Sequence, residues 1–280
     1  MPLPPLPELK FAEIPKRSRP AYTGDRFSFM EAGDRSLPAA ILLHGVGANS
    51  THWRFQYAGL SSRLHVIGWN APGYMLTDEL TAEWPDTRMY ADSLRDFFDA
   101  LEIDHAVLIG NSFGSRVSQG FAVYHGNRVD RMVLTGVGVG KSEITTKERE
   151  ELLSWRTNQI RDGGFSYGSG RLSSLLGSGA SDETHELVRN VLRGTNRRGF
   201  LQASMLSKSG FSPLDHIHAF TMPLLMIQGS EDAVNPTTDN AKLLADKIPN
   251  ARLEFLQGCG HLPEIEMPQA VNERILEFLG

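Results

Sequence analysis

Residues 106–114 read Ala-Val-Leu-Ile-Gly-Asn-Ser-Phe-Gly, AVLIGNSFG. The apolar run Ala106–Gly110 has the length and character of a buried parallel strand. The pattern from Phe113 to Tyr124 is helical. Between them stands Gly110-Asn111-Ser112-Phe113-Gly114, a G-x-S-x-G sequence. The motif is short, and its position gives it meaning: a strand runs into it and a helix leaves it, as a nucleophile elbow requires. Small residues at 110 and 114 let the backbone turn without clashes, so that the Ser112 hydroxyl projects above the sheet. A plain Gly/Ser turn is the alternative, and the strand–turn–helix context argues against it.

Outward from this turn, further apolar runs read as strands: Phe27–Glu31, Ala39–Leu43, Leu64–Trp69, Arg131–Thr135, Leu224–Gln228 and Arg252–Leu256. Helical spacing appears at Asp92–Leu101, with apolar residues at 94, 97, 98 and 101, and at Thr238–Lys247 and Gln269–Phe278. Alternating strands and helices predict an α/β protein with a mostly parallel central sheet and helices on both faces. The alternation breaks between Val139 and Pro213. That stretch has helix-like pieces at Thr146–Arg161, Asp182–Leu192 and Arg198–Leu206, and a Gly- and Ser-rich run between Gly163 and Ser181. Interleaved apolar residues (Trp155, Phe165, Tyr167, Leu172, Phe200 and Met205 among them) predict a packed helical lid rather than a loose loop. The expected organisation is a core of residues 1–138 and 214–280 with a helical cap over 139–213. Prolines 2, 4, 5 and 7 predict an extended, polyproline-like arm at the N-terminus.

A serine hydroxyl needs a base to remove its proton. In enzymes built on this turn the chain order is serine, acid, histidine. His261, in Gly258-Cys259-Gly260-His261-Leu262-Pro263, follows a strand in a flexible loop near the C-terminus and is the expected base. Asp232, in Gln228-Gly229-Ser230-Glu231-Asp232, follows the Leu224–Gln228 strand and precedes His261. It is the expected orienting acid, holding the imidazole tautomer and stabilising the imidazolium. Asp215 precedes its strand and falls at the wrong end of the sheet. The oxyanion donors are expected to be the backbone N–H of Phe113, next to the nucleophile, and that of Val46 in His44-Gly45-Val46-Gly47. His44 precedes the serine and reads as a structural hydrogen-bonding residue.

Three other signals carry less. His216 and His218 lack further ligands for a metal site. Gly136-Val137-Gly138-Val139-Gly140 lacks the spacing of a dinucleotide fingerprint and reads as the hinge into the insertion. Cys259 occupies no elbow and reads as a small buried residue. The chain of 280 residues has a formal net charge of −5, which argues against a nucleic-acid partner. A single cysteine allows no intrachain disulfide and fits a reducing compartment. The N-terminus lacks signal-peptide character, and no apolar run reaches the roughly 18 residues of a membrane span. The expectation is a cytoplasmic protein acting on a small molecule, with no cofactor or metal, no nucleic-acid or membrane partner, and homo-oligomerisation left open.

The segments HGVGANSTHW, NAPGYMLTD, GNSFGS, GSEDAVNP and GCGHLPE together resemble the α/β-hydrolase superfamily in its cap-bearing branch, from about residue 27 to the C-terminus. The resemblance implies a triad of Ser112, Asp232 and His261 with Val46 and Phe113 at the oxyanion hole. Serine at the elbow sets the chain apart from the epoxide hydrolases and haloalkane dehalogenases, which attack with a carboxylate. Asn111 beside the serine and Trp53 downstream of HGVG are similar to carbon–carbon bond hydrolases of the meta-cleavage type. Leu262, where that subgroup has Trp, departs from it. A carboxylesterase is the first reading, a carbon–carbon hydrolase the second, and a ligand-binding receptor retaining a slow triad the third. For the second, Arg193, Arg197 or Arg198 would bind a carboxylate.

Overall fold

The computed structural model describes residues 3–160, 172 and 174–280. Its eight-stranded sheet comprises β1 (Leu9–Glu13), β2 (Arg26–Ala32), β3 (Ala39–Leu43), β4 (His65–Trp69), β5 (Ala106–Asn111), β6 (Val129–Thr135), β7 (Leu224–Gly229) and β8 (Ala251–Leu256). The order is β1-β2-β4-β3-β5-β6-β7-β8. β1–β2 and β2–β4 are antiparallel, and every other pair is parallel. The expected mostly parallel sheet is therefore present, with one strand more than the sequence reading contained.

That strand is β1. Its residues are half-buried or exposed, so no buried apolar run marks it. Backbone pairing with β2, from Leu9↔Met30 to Glu13↔Arg26, makes it a strand. Lys10 and Glu31 add a cross-strand ion pair at 2.8 Å. The N-terminal arm is thus part of the sheet from residue 9 onward.

Alternation along the inner strands sorts the core into two layers. Ile41 and Leu43 of β3 join Leu108 of β5 on one face, against Leu94, Phe97 and Phe98 of α2 (Thr87–Ala100) and Phe121 of α3 (Phe113–His125). Ala40 and Leu42 face the other way with Ile109 and Val133. There they meet Trp53, Tyr57 of α1 (Arg54–Leu60) and Ile275 of the C-terminal helix (Pro268–Leu279). Both faces of the strands are covered, which is why their sequences read as continuous apolar runs. Asp86 caps α2 by accepting from the Met89 N–H at 2.8 Å.

After β6 the chain leaves the sheet and forms α4 (Thr146–Gln159), α5 (Asp182–Arg193) and α6 (Arg197–Met205) before returning at β7. A capping box joins Thr145 and Glu148 at the start of α4. Leu172, Leu175, Leu176, Val188 and Leu192 pack with Leu262 and Ile265, which follow β8. Trp155 departs from the expected packing: it is 46% exposed. Phe165 and Tyr167 lie outside the described residues. The helix expected over Thr238–Lys247 is divided into a 3-10 turn, Thr237–Asp239, and a short α7 (Ala241–Ala245). Asn240 sits at the break: its side chain accepts from the Val139 N–H at 3.2 Å and donates to the Pro236 carbonyl at 3.0 Å. Such side-chain bonds compete with helix continuity. A four-residue α8 (Pro263–Glu266) precedes the C-terminal helix, α9.

Candidate active site

The elbow is strained at the expected residue. Ser112 has φ 52° and ψ −107°, a left-handed conformation rare outside glycine. It lies between β5 and α3, and its N–H donates to the Thr135 carbonyl of β6 at 3.0 Å. The flanking glycines are sterically required. A Cβ at Gly110 would lie 2.6 Å from the Gly114 carbonyl oxygen, and one at Gly114 would lie 1.9 Å from the Leu43 carbonyl oxygen. Gly114→Ala is therefore expected to destabilise the fold by about 3 kcal/mol through forced separation of α3 from β3. Urea unfolding midpoints measure this, and a midpoint matching the parent protein would show that the contact yields freely.

His261 and Asp232 form a buried side-chain pair. His261 Nδ1 donates to Asp232 Oδ2 at 2.8 Å, and both residues are buried. Asp232 Oδ1 accepts the backbone N–H groups of Val234 and Asn235, each at 2.9 Å. Oδ2 also accepts Gln228 Nε2 at 2.6 Å. Burial pushes the Asp232 carboxyl up, but the hydrogen bond and charge of His261 and the two backbone donors outweigh it and leave it below its ordinary value. An ionised Asp232 fixes the His261 proton on Nδ1, which frees Nε2 to accept from a nucleophile. Ser112 and His261 line one small cavity of about 60 Å³, together with Val46, Ala48 and Leu262 and the polar His52, Asn111 and Arg156. Gly136 makes room for the imidazole: at φ +52°, its Cβ would lie 2.7 Å from His261 Cε1.

Phe113 is the first residue of α3, so its N–H has no partner within the helix and stands at the positive end of the helix dipole. Val46 is half-buried and lines the same small cavity as Ser112. The insertion holds this loop in place. Asn49 Nδ2 donates to the Val191 carbonyl of α5 at 2.9 Å, and the Thr195 hydroxyl donates to the Gly47 carbonyl. The His261 N–H likewise donates to the Leu175 carbonyl at 2.8 Å.

His52, Glu264, Thr135 and Glu266, none of them expected at the site, complete the surroundings. His52 Nε2 lies 2.6 Å from Glu264 Oε1, and both residues are fully enclosed. Thr135 Oγ1 donates to the other Glu264 oxygen at 2.9 Å, and Asn111 Nδ2 donates to Thr135 Oγ1 and to the His261 carbonyl, each at 3.1 Å. This buried chain ties the elbow to the histidine loop. Glu266 accepts the N–H groups of Gly260 at 3.0 Å and Gly177 at 2.7 Å, fastening that loop to the insertion. No periodicity marks such residues, because each partner comes from a different element.

The remaining candidates fall elsewhere. Burial pushes the Cys259 thiol far up, which removes it as a nucleophile. His216 stacks on Phe211. Asp215 accepts from Ser142 rather than from a histidine. Arg193, Arg197 and Arg198 are exposed, and Arg198 pairs with Glu79 at 3.1 Å.

His44 is fully buried, donates from Nδ1 to the Gly45 carbonyl at 2.9 Å and accepts the Ala71 N–H on Nε2 at 3.2 Å. Burial lowers its pKa to about 3, so it stays neutral and structural. The unfolded chain protonates this histidine near pH 6.5, whereas the folded chain resists protonation down to about 3. Stability is thus present above 6.5 and lost as the pH falls between those values, by up to about 1.4 kcal/mol per unit. His44→Gln is expected to flatten this acid slope in urea unfolding at pH 7 and pH 5. An equally steep slope in the variant would assign the loss to other groups.

The sequence profile of the alpha/beta hydrolase fold matches residues 38–268. A 2-hydroxy-6-oxononadienedioate/2-hydroxy-6-oxononatrienedioate hydrolase of Paraburkholderia phymatum is 26% identical over 259 residues, covering 89% of this chain and 88% of the relative. Among solved structures, an esterase of Thermogutta terrifontis superposes with a TM-score of 0.83 at 21% identity, covering 97% of this chain and 98% of its own. An enol-lactonase of Burkholderia xenovorans does so at 0.77 and 20%, covering 92% and 98%.

Proposed function

The chain belongs to the alpha/beta hydrolase family, and on that premise we propose that it hydrolyses a carboxylic ester through Ser112, His261 and Asp232, with Val46 and Phe113 as the oxyanion donors. The observation that carries this reading is the conjunction of a left-handed Ser112 with a buried His261–Asp232 pair at one small cavity. Ser112 Oγ attacks the ester carbonyl while His261 Nε2 takes its proton. The two N–H groups hold the resulting oxyanion. As the C–O bond breaks, His261 returns that proton to the departing alcohol. Water then repeats the sequence on the acyl-enzyme, releasing a carboxylic acid and restoring the serine. Residues 139–213 act as a cap, and its bonds to the Val46 and His261 loops couple cap position to the site. On this reading the protein works without a metal or organic cofactor.

Ser112 also lines a larger cavity of about 570 Å³, together with Phe113 and Asn235. Its size suits a small to medium acyl or aromatic acyl group. The 60 Å³ cavity beside His261 suits a small alcohol: it has room for about four water-sized groups.

A second reading, carbon–carbon bond hydrolysis of a vinylogous diketone, draws on the Paraburkholderia relative and on its coverage of nearly the whole chain. That relative's name specifies a dioate substrate. Steady-state turnover of methyl butyrate, followed by proton release, is compared with turnover of a vinylogous 1,5-diketone. Ester hydrolysis with little diketone cleavage is the expected result. The reverse preference overturns the ester assignment in favour of the second reading. Ligand-induced stabilisation with turnover of neither would place the chain with receptors that retain a slow triad.

A further inference from the structure

Arg116 lies on α3 four residues after Ser112, and its backbone N–H donates to the Ser112 carbonyl at 3.2 Å. The side chain lines the 570 Å³ cavity that Ser112 also lines. It is 8% exposed, forms no ion pair among the described residues, and has a single long hydrogen bond, from Nη2 to the Leu206 carbonyl at 3.4 Å. Its Nε has no hydrogen-bond partner among the described residues. Burying a guanidinium is costly unless a carboxylate or several acceptors compensate. Burial lowers its pKa only to about 10, so it remains charged at neutral pH.

The fold makes room for this group. Gly140, at φ +64°, would place a Cβ 2.3 Å from Arg116 Nη2 and 2.6 Å from Nη1. Any other residue there would displace the guanidinium. Three further cations, Lys141, Arg156 and Lys208, line the cavity, with Asp239 as its only lining carboxylate among the described residues. Lys141 and Lys208 reach Glu148 at 4.0 and 3.5 Å. The cavity is therefore cationic, and its most buried cation has no anion among the described residues.

We propose that Arg116 is the recognition site for a carboxylate carried by the acyl part of the substrate, so that the preferred substrates are half-esters of dicarboxylic acids with a small alcohol. This rests on the ester-hydrolase reading for the reaction, but not for the binding. Two observations place the anion on the acyl side. His261, which must reach the leaving group to protonate it, lines the small cavity, whereas Arg116 lines only the larger one and Arg156 borders both. A planar carboxylate accepts two parallel N–H donors from a guanidinium, which a neutral ester cannot match.

Titration calorimetry of glutarate, the dicarboxylate left after hydrolysis of such a half-ester, tests the binding without requiring turnover. Saturable binding to the parent protein, weakened at least tenfold in Arg116→Gln, is the expected result. No binding, or equal affinity in both proteins, overturns the proposal. A kinetic arm compares monomethyl with dimethyl glutarate in the parent protein, so it holds even if the variant fails to fold. A kcat/KM at least tenfold in favour of the monoanion is expected, and a ratio of one or below overturns the proposal. If neither ester is hydrolysed while glutarate binds as expected, the ester reading fails and the Arg116 site stands.

Discussion

Ser112→Ala is expected to lower kcat for methyl butyrate by about 10⁴- to 10⁶-fold, while the fold survives. The size of the loss follows from what the hydroxyl supplies. Without it no acyl-enzyme forms, and the residual rate comes from the oxyanion donors and substrate binding acting on water. The variant removes one oxygen at a residue whose φ of 52° is imposed by its neighbours, the Gly110 and Gly114 contacts and the bond from the Ser112 N–H to Thr135. Alanine occupies that conformation at no greater backbone cost than serine, so the melting temperature is expected to stay close to that of the parent. Equal rates in the two proteins would remove Ser112 as the nucleophile.

Asp232→Asn carries the second-largest effect, a fall in kcat of about 10⁴-fold with little change in KM. The reason lies in the four donors around the carboxylate. Val234 and Asn235 N–H groups point at Oδ1, and Gln228 Nε2 and His261 Nδ1 point at Oδ2. An asparagine has only one acceptor oxygen. If that oxygen serves the two backbone donors, the amide nitrogen faces His261 Nδ1 as a donor. The imidazole then carries its proton on Nε2, where it cannot accept one from Ser112. Rotating Gln228 relieves nothing at the histidine and abandons the bond from Val137 N–H to Gln228 Oε1 at 3.2 Å. Steady-state kinetics on methyl butyrate check this, and a loss of tenfold or less would show that another group orients His261.

These two residues and His261 were legible in the sequence because each sits in a loop just after a strand, and an apolar run bounded by Gly or Pro is a local signal. The elbow was the clearest case: a buried strand, a G-x-S-x-G turn and a helix follow one another within adjacent residues. The nearby exceptions are instructive. β1 was not legible, because its side chains are mostly solvated and only the backbone of β2 makes it a strand. The helix expected at Thr238–Lys247 has good spacing, but Asn240 makes side-chain bonds across to Val139 and back to Pro236 and divides it.

By itself, then, the sequence determined the alternation of strands and helices, the glycine-flanked serine turn, the candidate residues Ser112, Asp232 and His261, and the break in the pattern after β6. All of these are encoded over short stretches, through hydrophobic period and glycine placement. Only the tertiary structure decided which distant groups meet. His52 and Glu264 are 212 positions apart and lie 2.6 Å from each other. The Thr195 hydroxyl closes on Gly47 across 148 positions. Arg116 reads in the sequence as one more polar residue on a helix, and the exposed arginines of the insertion were the more obvious partners for a carboxylate. Packing separates them: Arg116 is buried beside Gly140 and the Leu206 carbonyl, while Arg193, Arg197 and Arg198 stay exposed. Whether a charge is solvated or confined is set by what the folded chain lays over it, and no local pattern of residues carries that information.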